Sequence, residues 1–219
     1  MGPEARLARG LQGILHRSAT QREVQAFSRY LALLLQWNRV YSFTSYRDPA
    51  RIVDRLFLDS MLFLPFVAAG AGRLLDLGSG AGIPGVPLKI VAPALSVTLI
   101  EARRKRTSFL ATLVRELKLE GVQVLRGRAE SLIEEFPSLE GGFDAVVSRA
   151  FGPLELVAPL ALRFLRLGGR FVASGPPSGK PLPELIGLGS WHVVTSPVSG
   201  LSRRFFTIEK KLEPWRDDL

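Results

Sequence analysis

The sequence predicts an α/β fold: a mostly parallel sheet with helices on both faces, an antiparallel edge and an N-terminal helical extension. Three observations carry this. Short apolar runs alternate with helix-period runs from Arg73 to Ala173, the rhythm of parallel strands joined by crossover helices. A glycine-rich turn, Gly78 to Gly82, joins one such strand to one such helix. The chain's 219 residues, 47% of them hydrophobic and 22% charged, are enough to bury a core without disulfides or metals.

Residues 1–20 are basic and weakly periodic, which fits a frayed tail or a short first helix. From Gln21 to Tyr41, apolar residues recur at threes and fours (Val24, Phe27, Leu31, Leu34, Trp37, Tyr41), the stripe of an amphipathic helix. Thr20 followed by Glu23 is a capping-box pattern at its start. Asp48-Pro49 reads as an N-cap with proline in the first turn, opening a second helix with Ile52, Leu56, Asp59 and Phe63 along one side. Residues 1–70 therefore form the helical extension, and 71–219 the α/β domain. In that domain the strands fall at Arg73–Leu77, Val97–Ile100, Val122–Leu125, Phe143–Val147 and Arg170–Ala173. Helices are expected from Pro84 to Ala92, Arg103 to Lys118, Glu130 to Phe136 and Leu154 to Leu165. Trp191–Thr195 and Phe205–Glu209 are β-rich and separated by turn residues, so they pair antiparallel at one edge.

Composition removes several classes of function. The chain has no cysteine, which excludes a thiol nucleophile and thiolate-bound zinc or iron–sulfur clusters. With two histidines, a multi-histidine metal centre is not expected, and both His16 and His192 read as non-catalytic. No apolar run reaches the roughly 20 residues of a membrane span, and the start lacks a secretory apolar core. A cytoplasmic protein is the expectation. Lys plus Arg is 29 against 20 Asp plus Glu, a net charge of +9 that favours a polyanionic partner.

The sharpest local signal is Asp76-Leu77-Gly78-Ser79-Gly80-Ala81-Gly82-Ile83-Pro84-Gly85. Glycines permit left-handed turns and a close ligand approach. Gly80, Gly82 and Gly85 satisfy a dinucleotide fingerprint, but Asp76 would repel a nearby pyrophosphate and favours a cationic ligand. Glu101, 19 residues after Gly82 at the end of the second strand, stands where a carboxylate accepts ribose hydroxyls; the plainer alternative is a cap on the next helix. After the third strand, backbone groups at Arg128 and Ala129 are placed to read an adenine edge with Glu130 beside its amino group, or Glu130 is a helix-starting acid.

Together these residues resemble a known family, the bacterial small-subunit ribosomal RNA guanine-N7 methyltransferases, formerly named glucose-inhibited division protein B. The likeness runs from about Gln21 to Lys211. It rests on Trp37-Asn38 through Thr44-Ser45, Arg47-Asp48-Pro49, Leu58-Asp59-Ser60, Gly78 to Ile90, and Ser148-Arg149-Ala150. The resemblance implies a class I fold dependent on S-adenosylmethionine (AdoMet): Rossmann-like, seven-stranded, mostly parallel with an antiparallel edge. It implies AdoMet held by Asp76, Gly78, Ser79, Gly80, Gly82, Glu101, Ala129 and Glu130. It also implies methyl transfer to guanine N7 in 16S rRNA near the decoding region, on naked rRNA or the small ribosomal subunit, with no metal and no membrane. A monomer is the expectation. The chain departs from the family at Leu56 (commonly histidine), Ser42 (asparagine), Ser174-Gly175 (lysine-glycine) and Arg203-Arg204 (arginine-histidine).

Guanine N7 carries an in-plane lone pair, so its methylation needs alignment and no general base. Arg149, just after the fourth strand, is the preferred catalytic and substrate-side residue; the plainer alternative is an ion pair with Asp144 or Glu155. Arg103, Arg203 and Arg204 are the further RNA-contact candidates. Trp37 and Tyr41, on the apolar stripe, are expected in the core in preference to serving as base-stacking platforms, and Asp59 is expected to hold the extension against the catalytic domain. The rival readings are a nicotinamide-dependent oxidoreductase, a small-molecule methyltransferase, and an rRNA-binding assembly factor without methyl transfer.

Overall fold

The N-terminal residues form a helix, α1 (Pro3–Leu15), with no sign of a frayed tail. In this computed structural model, which describes residues 1–67, 70, 72–175 and 189–211, α1 buries Leu7 and Leu11. Arg6 grips Asp54 through two hydrogen bonds of 2.7 and 2.8 Å, and Gly10 lets the Leu58 side chain press on the α1 backbone. That forked pair and close approach were not visible as local periodicity.

Helix α2 (Gln21–Tyr41) starts on the expected capping box, with the Thr20 hydroxyl and Glu23 carboxylate each accepting the other's backbone N–H. Asp48 likewise caps α3 (Pro49–Ile52), accepting from Arg51 N at 2.9 Å. The second predicted helix is not uniform. After α3 the chain widens into a π-helical stretch, Val53–Leu58, before an α-helical turn, α4 (Asp59–Met61). Ile52, Leu56, Asp59 and Phe63 are all buried, as their shared side predicted.

The sheet has seven strands: β1 (Arg73–Leu77), β2 (Ser96–Glu101), β3 (Val122–Arg126), β4 (Phe143–Arg149), β5 (Leu165–Gly175), β6 (Ser190–Thr195) and β7 (Ser202–Glu209). Their order is β3-β2-β1-β4-β5-β7-β6. The first five are parallel, and β7 runs antiparallel to both β5 and β6, which makes the expected antiparallel edge. Strand β5 begins at Leu165, five residues before the apolar run that predicted it, because Leu165 already pairs with Phe143. Helices α5 (Gly85–Val91), α6 (Arg104–Glu116), α7 (Ala129–Glu135) and α8 (Leu154–Phe164) connect the strands.

Alternation along each strand feeds two cores. Leu74, Val97, Leu99, Ala145, Val147, Val172 and Phe205 join α1, α2, α5 and α6 in one cluster. Leu75, Leu77, Ile100, Val146, Phe171 and Phe206 join α7 and α8 in the other. The extension thus shares a continuous core with one face of the sheet.

Candidate active site

The glycine loop is built by strand ends and by φ. Gly78 N and Ser79 N both donate to the Ile100 carbonyl at 3.0 Å, which folds the loop over the end of β2. Ser79 Oγ donates to the Asp76 carbonyl at 2.9 Å. Gly78, Gly80 and Gly82 have φ of +70°, +58° and +88°, a region that side chains avoid. A side chain at Gly78 would also run into the Phe151 ring. Gly82 also has a packing role. A Cβ there would meet the Tyr30 hydroxyl and Val86, each at 2.9 Å, so this glycine serves the landing of α2 on the loop. Tyr30, fully buried, donates its hydroxyl to the Ala81 carbonyl. Sequence reasoning missed Tyr30 because it sits among apolar residues of α2 and reads as core.

Two carboxylates frame the loop. Asp76 is fully buried; its Oδ2 accepts from Gly85 N at 2.8 Å, and its Oδ1 has no partner among the described residues. Burial, with the charge of Glu101 adding to it and the Gly85 N–H opposing it, pushes the Asp76 carboxyl up to about 7. Glu101 is also buried: Oε2 accepts from Gly80 N at 3.0 Å and Oε1 from Arg103 N at 2.8 Å. The carboxylate therefore straps the glycine loop to the start of α6 and is not a solvent-facing cap. Arg106 stands 3.7 Å from Glu101 Oε2, an ion pair the sequence did not single out. A cleft of about 530 Å³ opens beside them, lined by Gly78, Glu101, Arg103, Ala129, Glu130 and Phe151 among others. An adenosine with its ribose fits the donor set offered here: glycine backbone, a buried carboxylate at a strand end, and the start of α7. Asp76 Oδ1 is an acceptor without a donor, which suits a cation such as an ammonium group.

Arg149 leaves β4 next to this loop, since Leu77 pairs with Ser148 in the sheet. Its partner is neither Asp144 nor Glu155. Arg149 Nη2 donates to the Arg55 carbonyl at 2.8 Å and lies 3.1 Å from Asp59 Oδ2. Asp144 instead accepts from the Gly72 and Arg73 N–H groups at the opposite end of β4 and pairs with Arg166. The Arg55 carbonyl belongs to the π-helical stretch, whose slipped register leaves a carbonyl available to a side chain. Among the described residues, Arg149 Nη1 is buried without a partner. Burial lowers the guanidinium pKa from its usual value, while Asp59 opposes the shift.

Asp59 also accepts from Arg203 Nε at 2.6 Å, so one buried carboxylate of the extension holds two arginines from β4 and β7. Arg204 points elsewhere and lies over the Trp191 ring, 4.5 Å from its centroid. Two departures from the family pattern have structural homes. Leu56 is packed in the core, and Ser42 is the left-handed C-cap of α2 at φ +49°. Trp37 is half-buried, but Tyr41 is 40% exposed, which corrects its expected place in the core. Its stripe position lies on the last turn of α2, where it packs against Trp37, Phe43 and Lys105 but keeps a solvent-facing side. His192 bonds Thr207 Oγ1 at 3.0 Å, and His16 is the left-handed C-cap of α1, at the end of a packed helix and not in a loose tail. Among the described residues no cluster of His, Asp or Glu could hold a metal ion, and no helix is long and apolar enough to cross a membrane.

The strand order, the glycine loop and the acid at the end of β2 define a class I AdoMet-dependent methyltransferase fold. Solved structures agree on the fold. The chain superposes on a precorrin-6y C5,15-methyltransferase from Geobacter metallireducens with a TM-score of 0.53 at 14% identity, covering 69% of this chain and 87% of that one. For a SAM-dependent methyltransferase from Aquifex aeolicus the TM-score is 0.50 at 20% identity, covering 74% and 93%. The chain belongs to the rRNA small subunit methyltransferase G family, whose profile matches residues 23–175. Curated relatives named ribosomal RNA small subunit methyltransferase G include proteins from Pseudomonas aeruginosa, 43% identical over 68% of this chain and 66% of theirs, and from Xanthomonas axonopodis, 39% identical over 77% and 75%. The relative from Caldanaerobacter subterraneus is 39% identical over 68% of this chain, and the match spans 63% of that protein's length.

Proposed function

We propose that the chain transfers a methyl group from AdoMet to N7 of a guanosine in 16S small-subunit rRNA near the decoding region, as a cytoplasmic monomer. The observation that carries this reading is a pair of buried polar atoms, Asp76 Oδ1 and Arg149 Nη1, that have no partner among the described residues and lie on neighbouring strands at the glycine loop. When bound, AdoMet supplies an electrophilic sulfonium methyl group. Gly78, Ser79 and Gly80 form the cradle for its amino-acid end, with Asp76 beneath to favour the ammonium. Glu101 takes the ribose hydroxyls, and Ala129 and Glu130 take the adenine edge. Gly82 acts one step removed, by letting Tyr30 hold the loop.

No residue need remove a proton, because the nucleophilic N7 lone pair is already available. What the chain contributes is placement and charge. Arg149, tied sideways to Arg55 and Asp59, offers Nη1 to a phosphate or to guanine O6. Arg103, exposed at the mouth of the cleft, supplies a phosphate contact, whereas Arg203 acts through Asp59 and Arg204, over Trp191, would meet RNA only on the other face of the sheet.

The test is transfer from isotopically labelled AdoMet to small ribosomal subunits lacking the modification, with nucleoside mass spectrometry. We expect 7-methylguanosine, weaker AdoMet binding for Glu101→Ala, and near-normal binding with slow transfer for Arg149→Lys. No transfer from a preparation shown to bind AdoMet would overturn the reading and favour the assembly-factor alternative. Unchanged transfer by Arg149→Lys and Arg149→Ala would remove that residue from the mechanism.

A further inference from the structure

Helices α2 and α6 run antiparallel. Arg29 pairs with Glu116 at one end, and Lys105 meets Tyr41 at the other. The Tyr41 end lies by the start of α6, where Arg106, next to Lys105, contacts Glu101 and Arg103 lines the cleft. There a run of aromatic rings leads outward from the core. Phe109 is buried and packs against Trp37 and Phe43, with ring centroids 5.6 and 5.3 Å away. Phe43 stacks on Trp37 at an interplanar angle of 26° and on Tyr41 at 16°. Tyr41 is the outermost ring, and Val40 beside it is 72% exposed.

The rings are held from behind. Buried Asn38 accepts from Thr44 N at 2.9 Å and donates to the Tyr46 carbonyl at 3.1 Å, which fixes the segment carrying Phe43. Cations accompany the rings. Lys105 lies over the Tyr41 ring, Arg103 and Arg104 precede that lysine at the start of α6, and all three are exposed and make no ion pair among the described residues. An exposed aromatic ring held from behind, with an unpaired cation beside it, is how proteins hold unpaired bases while tracking their phosphates.

We propose that Tyr41 is a stacking platform for an unpaired base of the RNA substrate, beside the cofactor cleft, with Lys105 serving the phosphate of that nucleotide. The proposal rests on the reading that RNA is the substrate. The Lys105 ammonium lies 4.9 Å from the Tyr41 centroid. It is an exposed, flexible group whose contact with the ring is weak, so an incoming base displaces it toward the backbone phosphate. An acidic protein partner would meet the same cations but gain little from a flat ring fixed by stacking.

Two measurements test the platform. In the transfer assay, Tyr41→Ala should raise the KM for unmodified small subunits by about 5- to 150-fold, with kcat and the AdoMet Kd unchanged. Tyr41→Phe should behave as the parent chain, since stacking needs the ring and not the hydroxyl. Lys105→Ala should lower the slope of log KM against log salt by about 0.7–0.9. Fluorescence anisotropy with a labelled single-stranded oligoribonucleotide should show the same order of variants. Unchanged KM and anisotropy for Tyr41→Ala would overturn the proposal. So would a defect shared by Tyr41→Phe, or a loss seen with subunits but not with the oligoribonucleotide, which would assign the face to a ribosomal protein. If the parent chain transfers no methyl group, the proposed function falls, and the anisotropy series still decides the platform.

Discussion

Replacing Asp59 by asparagine tests the junction between the helical extension and the sheet. The change keeps the shape of the side chain and removes its charge. In the parent chain that carboxylate is buried, with Oδ1 2.6 Å from Arg203 Nε and Oδ2 3.1 Å from Arg149 Nη2. Asparagine offers one acceptor oxygen, so one guanidinium faces an NH2 donor. Breaking a buried pair by removing one partner costs about 3–5 kcal/mol, because the remaining charge stays buried without compensation. For a chain of this size that is a fall in Tm of about 6–20 °C. Urea denaturation and thermal scans of Asp59→Asn, Arg203→Gln and the double variant give the coupling. The two single losses should exceed the double by about 1–3 kcal/mol, since removing both leaves less stranded charge. A loss below about 1 kcal/mol for Asp59→Asn, or additivity within about 0.5 kcal/mol, would refute the view that this carboxylate holds both arginines.

Three further outcomes are expected. Tyr30→Phe strands the buried Ala81 carbonyl and should cost about 1–3 kcal/mol in denaturant unfolding while weakening AdoMet binding through the loop; an unchanged midpoint and Kd would disprove the link. Asp76 is raised to about 7, so its ionised form is disfavoured in the fold. Stability from this group is therefore lost as pH rises from the ordinary carboxylate range through about 7, and is level above it. A cationic cofactor favours the ionised form, so AdoMet affinity should strengthen between about pH 6 and 8 in the parent chain and stay flat in Asp76→Asn; calorimetry giving the same slope for both would count against the assignment. Ser42→Asn places a residue that tolerates left-handed φ at the α2 C-cap and should stabilise by up to about 1 kcal/mol, read as a raised Tm.

What was legible in the sequence was what is local. The capping box at Thr20 and Glu23, the Asp48 cap, the glycine turn and the alternating strands each declare themselves within a few residues. Glu101 was legible because the βαβ unit fixes its distance from the glycines. The partners of Asp59 were not, since they lie 90 and 144 residues away and only the packed extension brings them together. Tyr30 was hidden for a different reason: a tyrosine on an apolar stripe gives no sign of where its hydroxyl goes. Tyr41 sits on the apolar stripe, and periodicity does not say how much of a ring on the last turn is left open to solvent. The π-helical stretch has no proline or glycine to mark it, and its role lies in one carbonyl, Arg55, offered to a residue from another strand.

The sheet order places β7 between β5 and β6. During synthesis β6 is complete before β7, its one sheet neighbour among the described residues, exists, and β5 lacks its β7 pairing until Ser202–Glu209 arrives. The same late segment brings Arg203 to Asp59 and Phe205 to the core beneath the extension. A nascent or truncated chain ending before β7 therefore exposes two strand edges and leaves a buried acid short of one partner. Such chains should aggregate or be degraded and not persist as a smaller enzyme.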